Sequence, residues 1–241
     1  GPYMGLISGC ALILDYVLTV AISIAAGVEA LASLLPLGFQ PYKLWAEVVC
    51  TGILIILNLR GLKEAIKILL PIFLGFVVTH FALIVYGILA HASQLPDLMP
   101  NTFVETADLA KSIGWTGVAA MLMLAYSQGG GTYTGLEAVS NNVNILAEPR
   151  VRTGKMTMFY MALSLAFTAG GIILLYLLWE AVPVEGQTLN ASTFKAIIAS
   201  IGFGSEWANQ IVLLIVLIFE AGLLFVAANT GFLGGPAVLA N

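Results

Sequence analysis

The stretch Ile211-Val-Leu-Leu-Ile-Val-Leu-Ile-Phe219 holds no polar side chain, and it lies inside a run, 208–233, that carries a single charge, Glu220. Runs of this kind recur near 4–34, 44–59, 68–90, 115–146, 156–180 and 208–233. Each is near or above the ~20 residues a helix needs to cross a bilayer. The chain is 60% apolar and only 9% charged, where a soluble domain carries roughly a quarter charged residues. A soluble helical fold cannot hide so much apolar surface within itself. A membrane β-barrel needs alternating segments of ~10 residues, and these runs are continuous. The expected fold is therefore all-α: one polytopic transmembrane bundle of six spans over residues 1–241.

The loops give an orientation. Six of the nine basic residues fall in Asn58-Leu-Arg60-Gly-Leu-Lys63-Glu64-Ala-Ile-Lys67 and Glu148-Pro-Arg150-Val-Arg152-Thr-Gly-Lys155. The opposite loops hold Lys43, Lys111 and Lys195 beside Asp97, Glu105, Asp108, Glu185 and Glu206. The positive-inside rule places loops 60–67 and 148–155 in the cytoplasm of a multi-pass cell-membrane protein. Short surface helices are expected in the long loops 91–113 and 181–207. The chain opens on Gly-Pro-Tyr-Met, runs straight into an apolar stretch and ends as abruptly, which reads as part of a longer polypeptide.

The fourth run contains Tyr126-Ser-Gln-Gly129-Gly130-Gly131-Thr-Tyr-Thr134-Gly135-Leu-Glu137. Each glycine costs a helix about 1 kcal/mol relative to alanine. Two half-helices, about 115–127 and 135–146, are expected to meet at an unwound link. Irregular backbone at membrane depth survives only where protein or a water-filled cavity shields it. The carbonyl end of such a break favours cations and the amide end favours anions. Transporters hold substrate and coupling ions this way near the midplane. Close helix packing through small residues is the simpler use of glycine, but three in a row beside Thr134 and Glu137 favour a site. Glu137 is a candidate proton carrier, or a structural pair or cap.

The first run carries Asp15-Tyr16-Val-Leu-Thr19-Val-Ala-Ile-Ser23. On a helix Tyr16, Thr19 and Ser23 share a face, with Asp15 flanking it. A polar face in lipid looks inward. Its oxygen ligands suit hard cations and ammonium groups, and Asp15 can also carry a proton. The plainer alternative has Thr19 and Ser23 bonding back to their own helix.

Glu220 is a further proton-coupling candidate, with an inter-helix pair as the alternative. His80 reads as a packing residue, and Trp45, Trp115, Trp179 and Trp207 read as an interfacial belt. Cys10 and Cys50 read as small core residues. No P-loop, metal-spaced cluster, cofactor motif or basic nucleic-acid patch is present, so the partners expected are the bilayer and a small substrate or ion.

The strings Leu14-Asp15-Tyr16-Val-Leu-Thr19-Val-Ala-Ile-Ser23, Asn58-Leu-Arg60-Gly61, Thr134-Gly-Leu-Glu137-Ala-Val-Ser140-Asn and Ala228-Asn229-Thr230 resemble the amino acid–polyamine–organocation superfamily. The resemblance implies a partial inverted-repeat fold, this chain supplying helices three to eight with the sixth unwound. It is strongest to the branch of potassium importers and related amino acid permeases. It implies that Tyr16, Thr19, Ser23 and Thr134 help ligate a cation. The unwound sixth helix of amino acid permeases helps hold the substrate's α-amino group, and Gly129-Gly130-Gly131 departs from both patterns. The function expected is proton-coupled symport of an amino acid or of potassium. A channel-like protein and, more remotely, a membrane enzyme are the other classes.

Overall fold

A computed structural model describes residues 2–60, 62–129, 134–141, 143 and 146–239. They form eight α-helices: α1 (Pro2–Ala32), α2 (Lys43–Arg60), α3 (Leu62–Ala90), α4 (Leu95–Gly129), α5 (Thr134–Asn141), α6 (Arg150–Leu178), α7 (Leu189–Ile201) and α8 (Glu206–Leu239). Short 3-10 helices, Leu37–Tyr42 and Ala92–Gln94, precede α2 and α4. Among the described residues, six helical stretches are long and apolar enough to cross a membrane. The chain is thus a multi-pass membrane protein of helical-bundle type.

The link expected to be unwound in the fourth run falls on residues outside the description, between two described helices. Helix α4 ends at Gly129 and α5 begins at Thr134. Gly130 and Gly131 lie outside the described residues. Gly114 has φ 75° and ψ 159°, which separates a surface helix over 95–113 from the membrane half-helix that follows. Only glycine takes that backbone without a steric penalty. The other surface helix, α7, is capped at both ends: the Thr188 hydroxyl accepts from the Ala191 amide, and Gly202 closes it at φ 71°.

Two apolar cores hold the helices together. One joins α3, α6, α7 and α8 through Leu83, Ile84, Leu175, Phe194, Ile197 and Leu217. The other joins α1, α2 and α8 through Ile24, Leu54 and Ala228. Most remaining apolar side chains, such as Leu14, Val17, Leu122 and Phe159, face outward, as lipid-facing helices require.

Helix α8 is the spine, packing on α1, α2, α3, α5 and α7. Small residues allow the close approach, as they do between membrane helices. A Cβ on Gly222 would stand 2.2 Å from Ile72, and one on Gly75 would stand 2.3 Å from Phe219. Against α1, Gly231 meets the Tyr16 backbone, while Gly27 meets Ala221 and Phe225. Rising numbers on α1 therefore meet falling numbers on α8, and the two run antiparallel.

Candidate functional site

The α1 stripe sits where α1 leans on α8. Tyr16 is 1% exposed and Ser23 9% exposed, whereas Val17, Leu18 and Ile22 each show more than half of their surface. Thr19 and Asp15 are half-buried. The polar face is thus the inward face. Among the described residues, the Thr19 and Ser23 hydroxyls make no hydrogen bond. Thr51, Thr79 and Thr168 on neighbouring spans donate to the carbonyl four residues back, at 2.8 Å in each case. Spare hydroxyl oxygens on a buried helix face can serve as ligands.

Helix α5 packs on α8 and α6. A Cβ on Gly135 would meet the Met161 methyl at 3.0 Å. One helix, α8, therefore backs both the stripe and the helix that starts at Thr134. The side chains of Thr134 and Glu137 lie outside the described residues. Gly129 ends α4 on an exposed surface.

The strings Asn58-Leu-Arg60 and Ala228-Asn229-Thr230 meet in space. Asn58 Nδ2 donates to Asn229 Oδ1 at 2.7 Å and to the Leu54 carbonyl at 2.8 Å. This bond ties α2 to α8 beside the stripe. A shallow concavity of about 350 Å³ lies elsewhere, along α6 between Pro149 and Tyr160. It carries one cation, Arg152, and no group that extends the stripe.

A second polar cluster lies under α7. Glu220 on α8 is 7% exposed and His80 on α3 is fully buried. His80 Nε2 and Glu220 Oε2 stand 3.9 Å apart. Asn190 Nδ2 donates to Glu220 Oε1, and the Tyr176 hydroxyl donates to Asn190 Oδ1. Sequence reasoning singled out Glu220 but took His80 for a satisfied packing residue. It does pack, stacked on Phe76 at 3.9 Å and edge-on to Phe194 at 5.1 Å. Its Nε2 is nevertheless buried without a partner among the described residues. The signal available was the cost of Glu220 itself, because an acid at membrane depth needs a partner on another helix.

Nearer the surface, Lys43 pairs with Glu29. Trp45, Trp115 and Trp207 are exposed near helix ends. Trp179 is built into the bundle, its indole donating to the Gly87 carbonyl at 3.1 Å.

The amino acid permease family model matches residues 1–241. The potassium transporter KimA of Bacillus subtilis (strain 168) is 32% identical over 244 residues. That alignment takes in 100% of this chain and 37% of the relative, so the chain spans a little over a third of that protein's length. Permeases move solutes and are not enzymes. With a helical bundle of membrane-length apolar spans and a family model that matches over its whole length, the chain belongs to the amino acid permease family.

Proposed function

We propose that this chain is the transporting part of a secondary active transporter that carries potassium by alternating access, in symport with protons. The observation that carries this is the inward α1 face, on which the Thr19 and Ser23 hydroxyls make no bond to their own helix and Tyr16 stands beside them. Oxygen-only ligands suit a hard monovalent cation. Thr134 is assigned as a further oxygen ligand, contributed by the fourth run. The name of the relative in Bacillus subtilis, a potassium transporter, supports the same reading.

Proton coupling is assigned to carboxylates at membrane depth, with Asp15, Glu137 and Glu220 as the candidates. The basic loops 60–67 and 148–155 face the cytoplasm of the cell membrane. One bundle of helices rocks against another around the midplane site.

A second reading takes an amino acid as the substrate. The family's description favours it, because the amide end at Thr134 and Gly135 can take a carboxylate and the stripe can take an ammonium group. Uptake into vesicles separates the two. Potassium and a mixture of amino acids are competed against labelled rubidium, with and without an inward proton gradient. Saturable, gradient-driven rubidium uptake that potassium alone suppresses supports the first reading. Unitary currents without saturation point to a channel instead.

A further inference from the structure

His80 Nε2 and Glu220 Oε2 face each other across 3.9 Å inside the bundle. His80 Nδ1 lies 3.1 Å from the Phe76 carbonyl, which can only accept, so Nδ1 carries a hydrogen. The nearby Thr79 hydroxyl, 3.3 Å from Nδ1, spends its own proton on the Gly75 carbonyl at 2.8 Å. A neutral His80 with hydrogen on Nδ1 turns a lone pair at Nε2 towards Glu220. An ionised Glu220 would answer with a second lone pair at Oε2. Both atoms are buried and neither has another partner among the described residues. Two facing acceptors in a low-dielectric interior are unfavourable, and so is a lone buried negative charge. One proton placed between them removes both costs.

We propose that His80 and Glu220 form a proton-binding site of the transporter, with the proton held on Glu220 Oε2, which faces His80 Nε2 across 3.9 Å. This rests on the proton-coupled reading above and names the group that carries the proton. The neutral pair is the form that leaves no net charge in the bilayer.

The ionisable groups facing the pair are few. Helix α6 contributes Tyr176, and α7 contributes the neutral Asn190, while Lys195 on α7 is exposed to the outside. The neighbouring ring of α7 is Phe194. Asn190 connects the pair to α7, because its amide donates to Glu220 and its carbonyl accepts from Tyr176. Loss of the proton changes the charge beside that link, so the seating of α7 on the side opposite the basic loops follows the protonation state.

The pair is also tied to the α1 stripe through one helix. Glu220 and Gly231 are about three turns apart on α8, roughly 16 Å along its axis. Gly231 touches Tyr16, and by the antiparallel register Ser23 falls between these two levels. A shift of α8 therefore acts on both sites.

The test uses the protein reconstituted in phosphatidylcholine vesicles. Infrared difference spectra are taken across a pH step and read for the carbonyl stretch of a protonated carboxylic acid. The wild type should show a buried-acid band that vanishes in Glu220→Gln, shifts in His80→Gln and Glu220→Asp, and is unchanged in Glu29→Gln. The two shift variants decide the matter if Glu220→Gln does not assemble. Uptake of labelled rubidium and of labelled amino acids is measured in parallel. Glu220→Gln should keep substrate exchange and lose gradient-driven accumulation. A band that survives Glu220→Gln, or is indifferent to His80→Gln, overturns the pair as the proton site, while gradient-driven uptake in the wild type leaves the coupled reading standing. Wild-type uptake that ignores the proton gradient, with the Glu220 band present, instead overturns the coupled reading and with it the role of the pair in transport.

Discussion

The phenol ring of Tyr16 occupies the space a side chain on Gly234 would need. A Cβ there would lie 2.6 Å from the ring, and one on Gly231 would lie 2.7 Å from the Tyr16 carbonyl oxygen. The stripe on α1 is thus held in place by two glycines on α8, and its geometry depends on how closely those helices approach.

Gly231→Ala should destabilise the bundle more than Gly234→Ala. The first pushes against backbone, which cannot turn aside, and the second against a ring that can tilt. Overpacking of this kind costs about 1–3 kcal/mol. Thermal unfolding in detergent measures it, with Gly5→Ala as the control, because nothing lies within 4 Å of that position. Equal melting temperatures for Gly231→Ala and the wild type would refute the close α1–α8 packing.

Asn229→Ala should weaken the attachment of α2 to α8. It removes the 2.7 Å bond from Asn58 and leaves a half-buried amide with one fewer acceptor. Interhelical hydrogen bonds in membranes average about 0.6 kcal/mol and reach about 1.7 kcal/mol. A double-mutant cycle with Asn58→Ala measures the coupling, and additive effects would show that the bond contributes nothing.

Asn190→Ala should loosen α7 without unfolding the bundle. The substitution breaks both the link to Glu220 and the link from Tyr176, while Phe194, Ile197 and Ile198 keep their apolar seat. Hydrogen exchange should rise over 189–201 and stay unchanged in α1. Unaltered exchange in α7 would mean that the apolar contacts alone hold it.

The spans were legible because long apolar runs permit little else in water or lipid. Surface helices in both long loops were legible in outline, although the sharp turn at Gly114 was not, since a single glycine carries no mark of a positive φ. The inward direction of the Tyr16–Ser23 face followed from periodicity. Its packing on Gly231 and Gly234 did not, because the register between α1 and α8 depends on contacts far apart in the chain. The partner of Glu220 was hidden for the same reason. The cost of a buried acid demands a partner, but His80 lies on α3, and only the folded bundle brings Nε2 to 3.9 Å.

Thr19→Ala and Ser23→Ala should each weaken cation binding by about 1 kcal/mol, roughly five-fold in affinity, through loss of one ligand oxygen. Thr51→Ala and Thr79→Ala, whose hydroxyls bond back to their own helices, should leave it unchanged. Equilibrium binding of labelled rubidium to the reconstituted protein, displaced by potassium, is the direct measurement. The account predicts saturable binding that potassium displaces, that amino acids do not, and that falls in the Thr19 and Ser23 variants alone. Displacement by an amino acid, or equal binding in all four variants and the wild type, would contradict it.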